Sequence, residues 1–246
     1  MSKAAELANL IGNINAGGGG VNRNVIINGA MNVAQRSTSE TGVGSSGGYL
    51  VCDRWQLAVG NTDGRLTMSQ DSSVPTGEGF ANSLKLDCTT ADTSIAAAEN
   101  LVIQQKIEGQ NLQSFSKGTS GAKPFAVSFY VKGNGNATYM CELRDRDNDR
   151  HNTQQFAVTS SWNRIELTFS ADTTGAFDDD NASSLELRFW LHAGSDYSGG
   201  TYTANTWAST TNANRAAGIS SFFDSTDRTF FITGVQLEVG QNPTTF

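Results

Sequence analysis

Carboxylate side chains are the first candidates for chemistry in this sequence, because they bind cations and act as general acids or bases. Asp145, Asp147 and Asp149 stand at alternate positions, as acidic residues do at the start of an EF-hand calcium loop. Such a loop needs glycine at its sixth position and glutamate at its twelfth. The sequence has Arg150 and Phe156 there, so it excludes an EF-hand and indicates a charged hairpin tip.

A second acidic segment, formed by Asp178, Asp179 and Asp180, is a weak candidate for a cation site. Three adjacent carboxylates repel one another unless they are neutralised, although a solvated loop explains the same residues. Two histidines and three widely spaced cysteines do not suffice for a zinc site or a disulfide framework. The sequence therefore predicts buried free thiols and no cofactor, with the aspartate triplet as the only metal candidate.

The sequence contains no recognisable catalytic motif. Glu142, Glu166 and Glu186 each lie on the polar side of a predicted strand, where a charged residue is normal, although a facing pair of carboxylates could serve a glycosidase. No Gly-x-Ser-x-Gly segment marks a nucleophilic serine. We therefore expect a protein without enzymatic activity and keep a glycan-cleaving enzyme as a minor alternative.

Aromatic side chains on the polar sides of strands and in a long loop are better candidates for binding. They are Tyr130, Trp190, His192, Tyr202 and Trp207. Exposed rings beside planar polar groups stack on sugars or form subunit interfaces. Three interpretations stay open: a carbohydrate-binding face, an interface with a neighbouring subunit, and burial of the face beneath the long loop.

Alternation of apolar and polar residues predicts the strands that position these side chains. Segments 125–132, 139–144, 164–169 and 185–192 alternate with a period of two, which is typical of antiparallel strands with one buried face. Turn-forming residues separate about ten such segments along the chain. The pattern predicts an all-β fold, an antiparallel β-sandwich of jelly-roll type.

The apolar segment 229–240 is the last predicted strand. Gly234 interrupts its alternation, and a glycine inside a strand often marks a bulge. A strand this apolar needs a partner from far back in the sequence. We expect that partner to be a first strand at residues 24–28.

The first 20 residues differ from the remainder of the chain. Leu7, Leu10 and Ile11 have the spacing of one face of a short helix, and a run of four glycines follows them. A helix of about nine residues is unstable alone in water and needs a partner for its apolar face. We therefore expect an anchoring or oligomerisation arm at residues 1–20 and the jelly-roll domain at residues 21–246.

Composition narrows the range of partners and locations. A net charge of −7 disfavours nucleic-acid binding, which needs a basic surface. No run of about 18 apolar residues is present, so no membrane insertion is expected. The first residues lack the apolar core of a signal peptide, which indicates synthesis in a cytoplasm without export by that route.

Six segments occur in an order that is found in a known family. They are 24–36 (NVIINGAMNVAQR), 53–55 (DRW), 104–108 (QQKIE), 129–132 (FYVK), 187–190 (LRFW) and 231–239 (FITGVQLEV). Together they resemble the jelly-roll appendage domain of marine bacteriophage virion proteins of tail-fibre type. The resemblance extends over most of the chain, from about residue 22 to about residue 240.

The resemblance implies a structural protein on the virion surface, assembled in the host cytoplasm. It implies a homotrimeric appendage whose partners are other virion proteins, of the capsid or the tail, and host surface glycans. A capsid decoration protein that stabilises the shell is the alternative, because similar domains serve in both roles. Neither nucleic acid nor a membrane is an expected partner.

Overall fold

A computed structural model describes residues 24–246. The predicted helix with Leu7, Leu10 and Ile11, and the glycines that follow it, lie outside the described residues. The boundary between an arm and a domain therefore stays a prediction. Within residues 24–246, no helix is long and apolar enough to cross a lipid bilayer.

Alternating side chains form twelve strands in the described part of the chain. They are β1 Ser39–Val43, β2 Gln56–Gly60, β3 Arg65–Asp71, β4 Ser83–Thr90, β5 Asn100–Glu108, β6 Phe125–Gly133, β7 Ala137–Asp145, β8 Arg150–Val158, β9 Asn163–Phe169, β10 Ser183–Ala193, β11 Ala208–Ser209 and β12 Thr229–Val239. One helical turn, α1, lies at Ser195–Ser198. Short 3-10 segments lie at Gly109–Asn111, Gln113–Phe115, Asn212–Asn214 and Phe222–Asp224.

The strands form two antiparallel sheets of six. Sheet A has the order β1-β3-β4-β12-β6-β9, and sheet B has the order β11-β8-β7-β10-β5-β2. Within them, β4-β12-β6-β9 faces β5-β10-β7-β8, which is the eight-stranded arrangement of a jelly roll. The predicted all-β antiparallel sandwich of jelly-roll type is confirmed, and the remaining four strands extend its edges.

The hydrophobic core lies between the sheets and is built from the inward side of each strand. Phe129 of sheet A meets Phe189 of sheet B edge to face, with ring centres 4.9 Å apart. Burying an aromatic side chain of this size contributes about 1.5–3 kcal/mol. Cys52, Cys88 and Cys141 are free and buried, as the sequence predicted.

The closing strand β12 lies in the middle of sheet A. It pairs with β4 and β6, and residues 24–29 lie beside its second half without forming a regular strand, so the prediction that residues 24–28 are its partner strand is confirmed only in part. Only Asn24 forms an isolated bridge, to Glu238, although the Val25 N–H also donates to the Leu237 carbonyl at 2.9 Å. The predicted irregularity is confirmed, because the register of β12 against β6 shifts around Gly234, whose φ is 62°.

Candidate functional site

Three rows of paired residues organise the outer face of sheet B. Across β7, β10 and β5 the rows are Met140–Trp190–Val102, then Glu142–Arg188–Gln104, then Arg144–Glu186–Lys106. The residue types change from apolar to charged along the strands. One end of the face is therefore suited to burial beneath other parts of the chain, and the other end to solvent.

The long loop after β10 covers the apolar row. Trp190 and His192 are 1% and 0% exposed. Ala216 of the loop packs against Trp190, and the ring of Tyr197 lies 5.2 Å from it. Of the three interpretations that the sequence left open, the structure shows burial for these two residues. Trp190 and His192 are therefore corrected as carbohydrate-binding or interface candidates, because a ligand cannot reach them from outside.

Buried charges hold this loop against the sheet. Glu142 has no exposed surface and accepts hydrogen bonds from two Arg215 nitrogens at 2.8 and 2.9 Å, and from the Trp190 indole at 2.7 Å. His151 and Arg188 approach the same carboxylate at 3.3 and 3.5 Å. Burial alone would raise the pKa of Glu142, but the Arg215 charge and these hydrogen bonds hold it well below its usual range.

His192 ties the far end of the loop to the start of β5. Its Nε2 lies 2.9 Å from Glu99 Oε2, and its Nδ1 lies 2.8 Å from Ser221 Oγ. The serine hydroxyl also accepts the N–H of Phe223 at 3.1 Å and so caps a 3-10 turn. Because the imidazole is fully buried and the hydroxyl caps a turn, we assign this chain of contacts to loop closure.

The other aromatic candidates lie apart from one another. Tyr130 is in sheet A, where its hydroxyl donates to Glu78 at 2.8 Å. The Tyr202 hydroxyl accepts the backbone N–H of Gln155 at 3.0 Å. Trp207 packs against the core and donates its indole N–H to the backbone at 2.7 Å. The five aromatic candidates therefore do not share one surface.

The acidic candidates do not gather around a common point. Aspartates 178–180 are exposed in the turn before β10. Asp145 is buried, and the Lys117 ammonium lies 2.6 Å from it and 3.2 Å from Asp172. Among residues 24–246, no group of three or more histidine, cysteine, aspartate or glutamate side chains is arranged to hold a metal ion.

The three glutamates considered for a glycosidase do not form a facing pair. Glu166 belongs to β9 of sheet A, whereas Glu142 and Glu186 belong to sheet B. Glu142 is bound by Arg215, and Glu186 accepts a hydrogen bond from Arg188 at 3.0 Å. Each of the two buried carboxylates is therefore occupied by an arginine.

An open cleft of about 660 Å³ lies at the charged end of sheet B. Its walls and floor are formed by Ile27, Asn28, Val33, Gln35, Arg36, Tyr49, Asp53, Arg54, Lys106, Ile107, Glu108, Asn181 and Ser183. Ligand sites of proteins have volumes of about 300–1,000 Å³. This cleft is therefore the candidate functional site.

Polar contacts from the sheet hold the irregular wall of the cleft in place. The buried Gln105 amide accepts the N–H of Ile27 at 2.8 Å and donates to the Ile27 carbonyl at 2.9 Å. The Asn28 amide donates to the Asp53 carbonyl at 2.9 Å, and the Trp55 indole donates to the Asn28 carbonyl at 3.0 Å. These bonds satisfy backbone groups that have no strand partner.

Two residues of the cleft have a left-handed backbone. Asn28 has a φ of 56° and Arg54 a φ of 72°. Such a conformation costs about 1–3 kcal/mol and persists only where the surrounding structure enforces it, which is common at functional sites. Here the Trp55 indole and the Asn28 amide fix the two segments against each other.

Exposed apolar side chains concentrate in the cleft. The large ones in the described part of the chain are Ile27, Val33, Tyr49, Ile95 and Phe246, and the first three line the cleft. The Arg36 guanidinium lies 5.9 Å from the centre of the Tyr49 ring. An exposed ring with apolar neighbours and planar polar groups is suited to binding a ligand that has both apolar and hydroxyl-bearing faces.

None of the side chains that line the cleft is among the site residues predicted from the sequence. All except Tyr49, Asn181 and Ser183 lie in segments 24–36, 53–55 and 104–108, which are three of the six segments that carry the family resemblance. The segments that carry the family resemblance therefore already contained most of the cleft residues. Periodicity could not show that these segments meet, because two of them are largely irregular.

Comparison with known proteins finds distant similarity to solved structures. No protein-family model matches the sequence. No curated protein matches it. The enzymatically active domain of tailspike protein 4 of bacteriophage CBA120 is 15% identical to this chain, with a TM-score of 0.46. The match covers 88% of this chain and 21% of the tailspike chain, so this chain spans about a fifth of the tailspike's length. A family 11 carbohydrate-binding module from Clostridium thermocellum is 14% identical with a TM-score of 0.38, over 78% of this chain and 92% of that chain. The carbohydrate-binding module CBM4 is 13% identical with a TM-score of 0.42, over 87% of this chain and 99% of that chain.

Proposed function

We propose that the protein is a non-enzymatic, glycan-binding surface protein of a bacteriophage virion. The observation that carries the proposal is the cleft, in which the exposed ring of Tyr49 lies with Ile27 and Val33 among charged and amide groups. The apolar face of a sugar ring stacks on an aromatic side chain, while its hydroxyls bond to planar polar groups. The cleft offers both kinds of contact in one space.

The polar groups of the cleft are held in position before a ligand arrives. Asp53 Oδ1 accepts the N–H of Gln35 at 3.3 Å and a hydrogen bond from Arg36 at 3.1 Å. The backbone of Asn28 is fixed by Trp55. A site held in this way loses less conformational entropy on binding than a flexible one.

The cleft proposal is tested with Tyr49→Ala in the full-length protein. Loss of the ring is expected to weaken binding to host-surface polysaccharide by about tenfold or more. Phe246→Ala is the matched control, because Phe246 is an exposed aromatic residue outside the cleft. Equal binding by wild type and Tyr49→Ala would contradict the assignment of the cleft.

The proposed location is the virion surface, as a homotrimeric appendage of tail-fibre type. The six segments that resemble phage appendage proteins support this part of the proposal. Averaged images of the particle and a count of copies test it. A few trimers at one position on the tail are expected, whereas hundreds of copies over the shell would favour a capsid decoration protein instead.

The absence of enzymatic activity is also proposed. Supporting it, Glu142 is buried and held by Arg215, and Glu166 lies on the opposite sheet. The purified protein is expected to leave the chain length of host polysaccharide unchanged over prolonged incubation. Shortened polysaccharide would contradict the proposal, and Glu142→Gln and Glu166→Gln would then test whether either carboxylate is responsible.

A further inference from the structure

We infer that the cleft selects anionic sugars, in which a carboxylate or sulfate group is recognised by Arg54 and Lys106. The inference rests on the proposed function, because it names the class of glycan that the same cleft would take. It starts from an asymmetry among the charged residues that line the cleft. The acidic ones are engaged by the protein itself, and two of the three basic ones are not.

The two carboxylates of the cleft already have partners. Asp53 is bound to the Arg36 side chain at 3.1 Å. Glu108 accepts hydrogen bonds from the side-chain amides of Gln110 at 3.1 Å and Asn111 at 3.4 Å. A carboxylate that already accepts hydrogen bonds from its own chain has fewer lone pairs for sugar hydroxyls.

The two cations, Arg54 and Lys106, differ from the carboxylates in their contacts. Within residues 24–246, the side chains of Arg54 and Lys106 make neither a hydrogen bond nor an ion pair. The residue paired with Lys106 on β10 is the acidic Glu186. Glu186 is instead engaged by Arg188 at 3.0 Å and approached by Arg146 at 4.0 Å.

The local balance of charge is the reverse of that of the whole chain. The chain carries a net charge of −7, whereas Arg36, Arg54 and Lys106 outnumber the two carboxylates in the cleft. Unpaired cations in an acidic protein give a local attraction for anions that the rest of the surface opposes. The Ser183 hydroxyl also lines the cleft, and among the described residues it has no hydrogen-bond partner.

The two cations suit different parts of one anionic ligand. The planar guanidinium of Arg54 can form two parallel hydrogen bonds to a carboxylate or a sulfate, and the Lys106 ammonium acts as a point charge. The left-handed backbone of Arg54 is part of the cleft wall, so the guanidinium is presented from a fixed main chain. Tyr49 would meanwhile stack on the sugar ring that bears the anionic group.

The first experiment probes the full-length protein with a glycan array that carries neutral, uronic-acid and sulfated oligosaccharides. Binding concentrated among the uronic-acid and sulfated glycans is expected, and the two groups distinguish carboxylate from sulfate as the recognised anion. Binding restricted to neutral glycans would overturn the inference and leave the proposed function standing. An array with no bound glycan would overturn both.

The second experiment uses variants on the best acidic glycan and on its neutral counterpart, the methyl ester or the desulfated form. Wild type is expected to bind the acidic form at least about tenfold more tightly, a difference that shrinks with added salt because screening weakens exposed charge interactions. In the double variant Arg54→Gln, Lys106→Gln the preference should disappear while neutral binding persists. Arg146→Gln, outside the cleft, is the matched control.

The outcomes of the second experiment separate the two proposals. A double variant that keeps the preference for the acidic form, or a wild type whose preference does not respond to salt, would overturn anion selection. Tyr49→Ala should weaken binding of both forms equally, and its failure to do so would count against the cleft itself. Neither Arg54 nor Lys106 has a partner among the described residues, so the variants are expected to unfold at the wild-type temperature.

Discussion

Arg215 is expected to be a principal anchor of the loop that covers the outer face of sheet B. It supplies two of the three hydrogen bonds shorter than 3 Å that reach Glu142, and both side chains are almost completely buried. Substitution Arg215→Leu keeps a large apolar side chain and removes the charge. Glu142 would then remain buried with only Trp190, His151 and Arg188 as partners.

The size of the effect follows from these contacts. A hydrogen bond to a charged group contributes about 1.5–3 kcal/mol, and removing one partner of a buried ion pair costs about 3–5 kcal/mol. We therefore expect Arg215→Leu to lower the free energy of unfolding by about 3–5 kcal/mol. That is a large fraction of the total stability of a typical domain, which is about 5–15 kcal/mol.

Urea unfolding at pH 7, followed by tryptophan fluorescence, measures this loss. Arg146→Leu is the matched control, since its side chain is 46% exposed and only approaches Glu186 at 4.0 Å. The control should change the free energy of unfolding by no more than about 1 kcal/mol. Limited proteolysis between residues 194 and 221 separates local opening of the loop from global unfolding. If Arg215→Leu were as stable and as resistant to protease as the control, the reasoning would be refuted.

Three further predictions concern other buried groups. The pKa of Glu142 is lowered from an ordinary value of 4.5, so this carboxylate is protonated first in the unfolded chain as the pH falls. The difference in free energy of unfolding between wild type and Glu142→Gln, measured by urea titration, should therefore be full above pH 4.5 and should narrow below it. Lys117→Met should lower the free energy of unfolding by about 3–5 kcal/mol, because Lys117 is buried between Asp145 and Asp172. The control Lys123→Met, at an exposed site, should change it by less than about 0.5 kcal/mol in the same assay. Burial raises the pKa of the Cys52 thiol to about 12, so a thiol reagent should label Cys52 only after unfolding, and fast labelling of the native protein would contradict its burial.

The sequence predicted the strands well where one side of a strand is apolar. β6, β7, β9 and β10 follow segments in which residues alternate with a period of two. The exception is the stretch from Asn24 to Asn28, where apolar residues indicated a strand. The Asn24 side chain accepts the N–H groups of Ile26 and Leu237 at 3.0 and 2.9 Å. These side-chain bonds replace the strand ladder, and such local competition cannot be read from periodicity.

The position of the cleft depends on contacts between distant residues. Gln105 bonds to Ile27 across 78 positions of sequence, and Trp55 bonds to Asn28 across 27. Neither contact can be predicted from the periodicity of a single sequence, because periodicity reports only local structure. The dipeptide Asn28–Gly29 is typical of a turn, and the structure has a left-handed residue at Asn28. The bend at Asn28 could therefore be recognised from the sequence, but the irregular course of residues 24–28 and their neighbours in space could not.

The outer positions of β5 nevertheless contain a signal that separates the covered end of sheet B from the open end. Val102 packs beneath the loop with Trp190 and Ala216, whereas Lys106 and Glu108 line the cleft. Gln104 lies between them and is 5% exposed. A residue on the outer face of the sheet tends to be apolar where another part of the chain covers it, because apolar surface left in contact with water is unfavourable. The same change occurs along β7 and β10, at the same rows of the sheet. Three strands that turn from apolar to charged at one level therefore mark the row at which Arg215 of the covering loop is bound by Glu142. The cleft reaches the sheet one row further along β5, at Lys106.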